Sequence, residues 1–62
     1  MKVTRLATAG HRLAVARARL AASMADAEAA ARMALDHGVA EAEVARVLGV
    51  DRMTVRKWAG KR

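Results

Sequence analysis

The sequence predicts an all-α fold: one long N-terminal helix, then two short helices around a glycine turn, in a chain that dimerises. Two features point to helix throughout. Seventeen alanines and nine arginines, with leucine, methionine and glutamate, are strong helix formers, and no proline interrupts the 62 residues. No run alternates β-branched and aromatic residues as a strand would. A third feature divides the chain: Gly10, Gly38, Gly49 and Gly60 punctuate it into segments of helical length.

The first segment, residues 9–37, is expected to be one helix, about 42 Å long at 1.5 Å per residue. Leu6, Leu13, Leu20, Ala27 and Ala34 recur every seven residues, and Ala16, Met24 and Ala31 widen the stripe. An internal cap at Ser23 with Asp26 would divide it into helices over about 9–22 and 24–37. The absence of Gly or Pro between Gly10 and Gly38 favours the continuous form. Residues 1–8 are read as a basic arm. His37 and Gly38 end the helix, the histidine at the negative end of the dipole and the glycine in a left-handed conformation. Alanine side chains permit close approach but bury little area each. The helix therefore needs something to pack on, and a second copy is the simplest candidate.

Length and composition exclude several function classes. A chain this short makes one domain, and domains of this size are marginal without a staple or a partner subunit. There is no cysteine for a disulfide or thiolate site, and His11 and His37 lack metal-ligand spacing. Neither metal nor cofactor is expected, and there is little material for a pocket, so neither an enzyme nor a small-molecule substrate is expected. No uncharged stretch approaches the ~20 apolar residues of a membrane span, and the N-terminus lacks the apolar core of a secretory signal. The expected setting is cytoplasmic and nucleoid-associated.

The net charge of +6 and pI of about 11.5 point to a polyanion, with nucleic acid the leading candidate. The charge is also segregated. Residues 1–22 carry Lys2, Arg5, Arg12, Arg17 and Arg19 and no acid. Residues 23–49 carry Asp26, Glu28, Asp36, Glu41 and Glu43 against Arg32 and Arg46. Residues 50–62 carry Arg52, Arg56, Lys57, Lys61 and Arg62 against Asp51. Two basic ends flank an acidic middle.

The last segment, residues 38–62, includes the run EAEVARVLGVDRMTVRKWAGKR. Val44 and Leu48 are spaced i, i+4, and Val55 and Trp58 i, i+3, so each pair shares a helix face. Gly49 suits a left-handed turn. Asp51 is placed to cap the following helix by accepting from the amides of Met53 or Thr54. That helix then turns Arg52, Met53, Arg56 and Lys57 outward. Trp58 is expected to be the largest core side chain.

These residues resemble a helix-turn-helix motif, with Glu41 in its first place. Ala45 falls where a small side chain lets the helices cross and Gly49 where the turn bends. Val44, Leu48, Val50, Val55 and Trp58 fall in the apolar places. The run GVDRMTVRKW is also similar to the DNA-binding end of resolvase and invertase recombinases and to small phage or mobile-element regulators. Gly49, Val50, Arg52, Thr54 and Val55 match, and Asp51 stands where serine is usual. The similarity covers about residues 38–60 and brings no recombinase catalytic domain with it. It implies that the second short helix, over residues 52–60, enters the major groove of double-stranded DNA. The implied role is that of a small transcriptional regulator of repressor type.

On this reading Arg56 is the first candidate for base readout, by bonding both acceptors of a guanine. Arg52 reads a base or holds the backbone, and Met53 touches a thymine methyl. Thr54 and Lys57 contact phosphate, and Lys61 and Arg62 add non-specific attraction. Lys2, Arg5 and Arg12 are candidates for flanking contacts, while Arg17 and Arg19 suit the solvent face of a dimerising helix. Residues 25–35 should cover the motif's core through Ala27, Ala31, Ala34 and Leu35, leaving the N-terminal half projecting. Two competing readings remain: a protein-interaction module built on the long helix, and a non-specific architectural protein that coats DNA by charge.

Overall fold

A computed structural model describes residues 3–60 as three helices: α1 (Val3–Asp36), α2 (Glu41–Leu48) and α3 (Arg52–Trp58). No strand occurs among the described residues. α1 is a single unbroken helix, so Ser23 and Asp26 do not divide it. It also begins earlier than expected, at Val3 rather than near Ala9, so residues 3–8 are helical and not a separate arm. One glycine in an exposed helix costs only about 1 kcal/mol relative to alanine. With good helix formers on both sides, Gly10 is carried through rather than acting as a stop.

α1 ends at Asp36, one residue before His37. Gly38 takes φ +89°. The Gly38 amide donates to Leu35 O at 3.0 Å and the Val39 amide to Ala34 O at 3.0 Å, the paired bonds of a Schellman ending. The His37 ring contributes as well, with Nδ1 2.7 Å from Met33 O. A left-handed glycine also ends α2, with a different bond pattern. Gly49 has φ +72°, and the amides of Gly49 and Val50 both donate to Ala45 O, at 2.9 and 3.1 Å. Three residues, Gly49 to Asp51, then turn the chain into α3.

α2 and α3 fold back onto the C-terminal half of α1, and each of the three helices touches the other two. Ala31, Val44, Ala45 and Val55 form the buried centre, and Val55 is fully enclosed. Ala34, Leu35, Leu48, Val50 and Trp58 pack around it half-buried. Trp58 is thus a wall of the core and not its largest enclosed side chain. Ala27 and Ala31 lie on the covered face as expected, the first half-buried and the second buried. The N-terminal half of α1 projects from this head, giving a molecule 54 Å long and 16–19 Å across. Leu6, Leu13 and Leu20 along the projection are 63%, 50% and 62% exposed.

Because Val55 is the largest fully enclosed side chain, Val55→Ala should lower stability by about 2 kcal/mol through reduced burial and the void left behind. Urea denaturation followed by helical circular dichroism measures this. A change below about 0.5 kcal/mol would mean that α3 is not held by this contact.

Candidate nucleic-acid interface

α3 has seven residues, too short to persist alone in water, so its position depends on what holds it. Three contacts do so. Val55 seats it in the core. At its start, Asp51 adopts an extended backbone and its carboxylate accepts from the Thr54 amide at 2.7 Å. Alongside, Arg56 donates from Nη1 to Oε1 of Glu41, the first residue of α2, at 3.1 Å.

With Val55 turned inward, the opposite side of α3 carries Met53 and Lys57, both exposed; Arg52 is exposed in the first turn and Thr54 is half-buried. Arg52 and Lys57 have no ion pair among the described residues. Other arginines are committed to acids: Arg32 to Glu28 at 2.9 Å and Arg46 to Glu43, each within one helix. The fold therefore brings together three of the residues expected to meet DNA as an open face. Lys2, Lys61 and Arg62 lie outside the described residues. Arg5 and Arg12 are exposed on the projecting part of α1, remote in the chain from the α3 face.

Arg56 departs from expectation. It is half-buried, and its guanidinium is folded against Glu41 rather than standing clear of the surface. The two residues lie fifteen positions apart, and the contact links the start of α2 to the side of α3. In the sequence Glu41 reads as one acid of the middle segment and as the first place of the motif. Sequence reasoning missed this link because nothing local marks a pair that exists only once the helices have crossed.

The Asp51 carboxyl is held below its ordinary value of 3.8. The largest cause is the hydrogen bond from the Thr54 amide, followed by that from the Thr54 hydroxyl; desolvation opposes them, and the Met53 amide adds a smaller lowering. No group of three or more metal-ligating side chains occurs among the described residues. None of their helices is long and apolar enough to cross a membrane.

No protein-family model matches the chain, and neither a curated protein nor a solved structure is detectably similar to it. Any function assigned to this face must come from the chemistry of the face itself.

A carboxyl whose folded pKa is depressed stabilises the fold above its unfolded value and ceases to do so as pH falls through the folded value. The Asp51 contribution should therefore be complete well above 3.8 and be lost progressively as pH falls below it through the lowered folded value. Asp51→Asn keeps an accepting cap oxygen without the titration. Thermal melts down an acid series should show wild type losing its advantage over Asp51→Asn as pH drops below 3.8. Parallel curves for the two proteins would show that the capping charge contributes nothing.

Proposed function

We propose that this chain is a sequence-specific double-stranded DNA-binding protein of the small transcriptional-regulator type, acting as a homodimer through α1 and presenting α3 to the major groove. The observation that carries the proposal is the open cationic side of α3. Arg52, Met53 and Lys57 stand exposed on a helix that Val55 seats in the core. A rigidly seated short helix with exposed cations suits recognition in two ways. The cations are attracted to phosphate, and a fixed register lets particular side chains meet particular base edges.

The roles follow from placement. Arg52, in the first turn, is the residue best set to reach a base edge, since N-terminal residues of a recognition helix make such contacts. Met53 offers apolar surface to a thymine methyl. Lys57 and Thr54 hold the phosphate backbone, and Lys61 and Arg62 extend the same charge. Arg56 enters the reading differently. Its guanidinium is shared with Glu41, so reading a guanine requires that it leave the carboxylate. Until then it braces α3 against α2. Arg5 and Arg12 of α1, together with Lys2, supply attraction to flanking backbone.

The test is equilibrium binding to mixed-sequence duplex DNA over a salt series, by fluorescence anisotropy. Wild type should bind with an affinity that falls steeply with salt. The Arg52→Ala/Lys57→Ala variant, whose exposed side chains leave the fold intact, should bind about tenfold or more weakly. Its salt slope should be shallower by about one for each phosphate that the variant no longer neutralises. Equal binding by the two proteins would exclude α3 as the interface and favour a protein-interaction role for α1.

A further inference from the structure

Three features of this chain complement one another. The first is a repeat on the projecting part of α1. Arg5-Leu6-Ala7, Arg12-Leu13-Ala14 and Arg19-Leu20-Ala21 are the same triplet at intervals of seven, and all nine residues are exposed. An interval of seven drifts only about 20° around a helix. The leucines therefore share one edge, with Ala9, Ala16 and Ser23 beside them. The second feature is an open apolar groove between α1 and α2. It holds about 240 Å³, is floored by Ala30, Ala34 and Val44, and is walled by Val39, Val47 and Glu43. Val47 is 68% exposed on its rim. The third is charge. Residues 3–25 hold four arginines and no acid, whereas residues 26–49 hold five acids and two arginines.

We propose that two copies pair antiparallel along α1, each laying its Arg-Leu-Ala arm in the α1–α2 groove of the other. The pairing that sets leucine against small residues puts Leu13 opposite Ala30 of the second copy and Leu20 opposite Ser23. The two-fold axis then falls between Ala21 and Ala22. The alanines face α1 of the second copy and permit close approach, while the leucine edge turns toward Val39, Val44 and Val47 of the groove. Arg19 comes within reach of Asp26 of the second copy, and symmetry makes this pair twice. The basic arm of each copy lies along the acidic half of the other.

A parallel pairing does none of this. The leucine edge continues into Ala27, Ala31 and Ala34, the side of α1 that α2 and α3 already occupy. A parallel copy following that edge would run the two heads into each other, set Arg12 beside Arg17 of the second copy and leave both grooves unfilled. The antiparallel form has a further consequence. Ala31 of one copy lies about 28 Å along the helix from Ala31 of the other, at 1.5 Å per residue. That axial offset puts the two heads, each with its α3, at opposite ends of the pair.

This inference rests on the homodimer in the proposed function and not on DNA binding, so its test contains no DNA. The chain has no cysteine, which makes single-cysteine variants clean reporters. Leu13→Cys and Ala30→Cys proteins are mixed and oxidised. The expected product is the mixed adduct, with little Leu13→Cys self-adduct, because those two sites lie about 25 Å apart along an antiparallel pair. A self-adduct from Leu13→Cys, or no adduct at all, would overturn the proposal. Sedimentation provides an independent reading that leaves the apolar contacts in place. Arg19→Glu and Asp26→Arg should each weaken self-association about tenfold, and the two together should restore it to within about threefold. A double variant no tighter than the singles would equally overturn the pairing. Loss of dimerisation with retained DNA binding would defeat this inference alone.

Discussion

The enclosure of Val55 is the constraint on which the rest of the molecule depends. α3 is a helix of seven residues with no stability of its own, and one fully buried side chain fixes which way it faces. The room for that side chain comes from smallness around it. Ala31 on α1 and Ala45 on α2 let three backbones come close enough to surround a valine. Once Val55 points inward, the helical period sends Met53 and Lys57 outward, while Arg52, three residues before Val55, is exposed in the first turn of α3. The cationic face is a consequence of the core and not a separate device.

The same smallness limits what the chain can do alone. A centre of two alanines and two valines, ringed by half-buried neighbours, is little apolar burial for a chain that orders three helices. Half of α1 lies beyond the reach of α2 and α3 and shows leucine to solvent. The uncovered leucines and the slender core are two sides of one shortage. In the proposed pairing a second copy would relieve both, by adding apolar area to the groove and by bringing acids to the arginines of the arm. On this view dimerisation is part of how the fold is completed.

The features legible in the sequence were those that local chemistry decides. Gly49 and Gly38 mark turns because only glycine takes φ of +72° and +89° without strain. Asp51 marks a helix start because its carboxylate reaches back to the amide three residues on. Val44 and Val55 were identifiable as core by spacing, Ala45 by the place it takes in the helix-turn-helix resemblance, and Met53 and Lys57 as surface by their spacing from Val55. What was not legible depends on sums or on distance. Where α1 begins is decided by many small propensities outweighing Gly10, and no single residue announces Val3. The depth of Trp58 depends on how far a head of this size can close around an indole. The link from Arg56 to Glu41 spans two helices and a turn, and the groove beside Val39 and Val47 exists only after α2 has packed. Tertiary placement, not residue type, created each of these.

The central claim is that α3 reads DNA sequence from a fixed seat. The most direct measurement is selection of bound duplexes from a random pool, followed by sequencing. The expected result is an enriched, two-fold-symmetric site whose half-sites lie about one helical turn apart. Recovery of an unenriched pool by a protein that binds DNA would contradict the claim, leaving attraction to phosphate as the whole of the interaction.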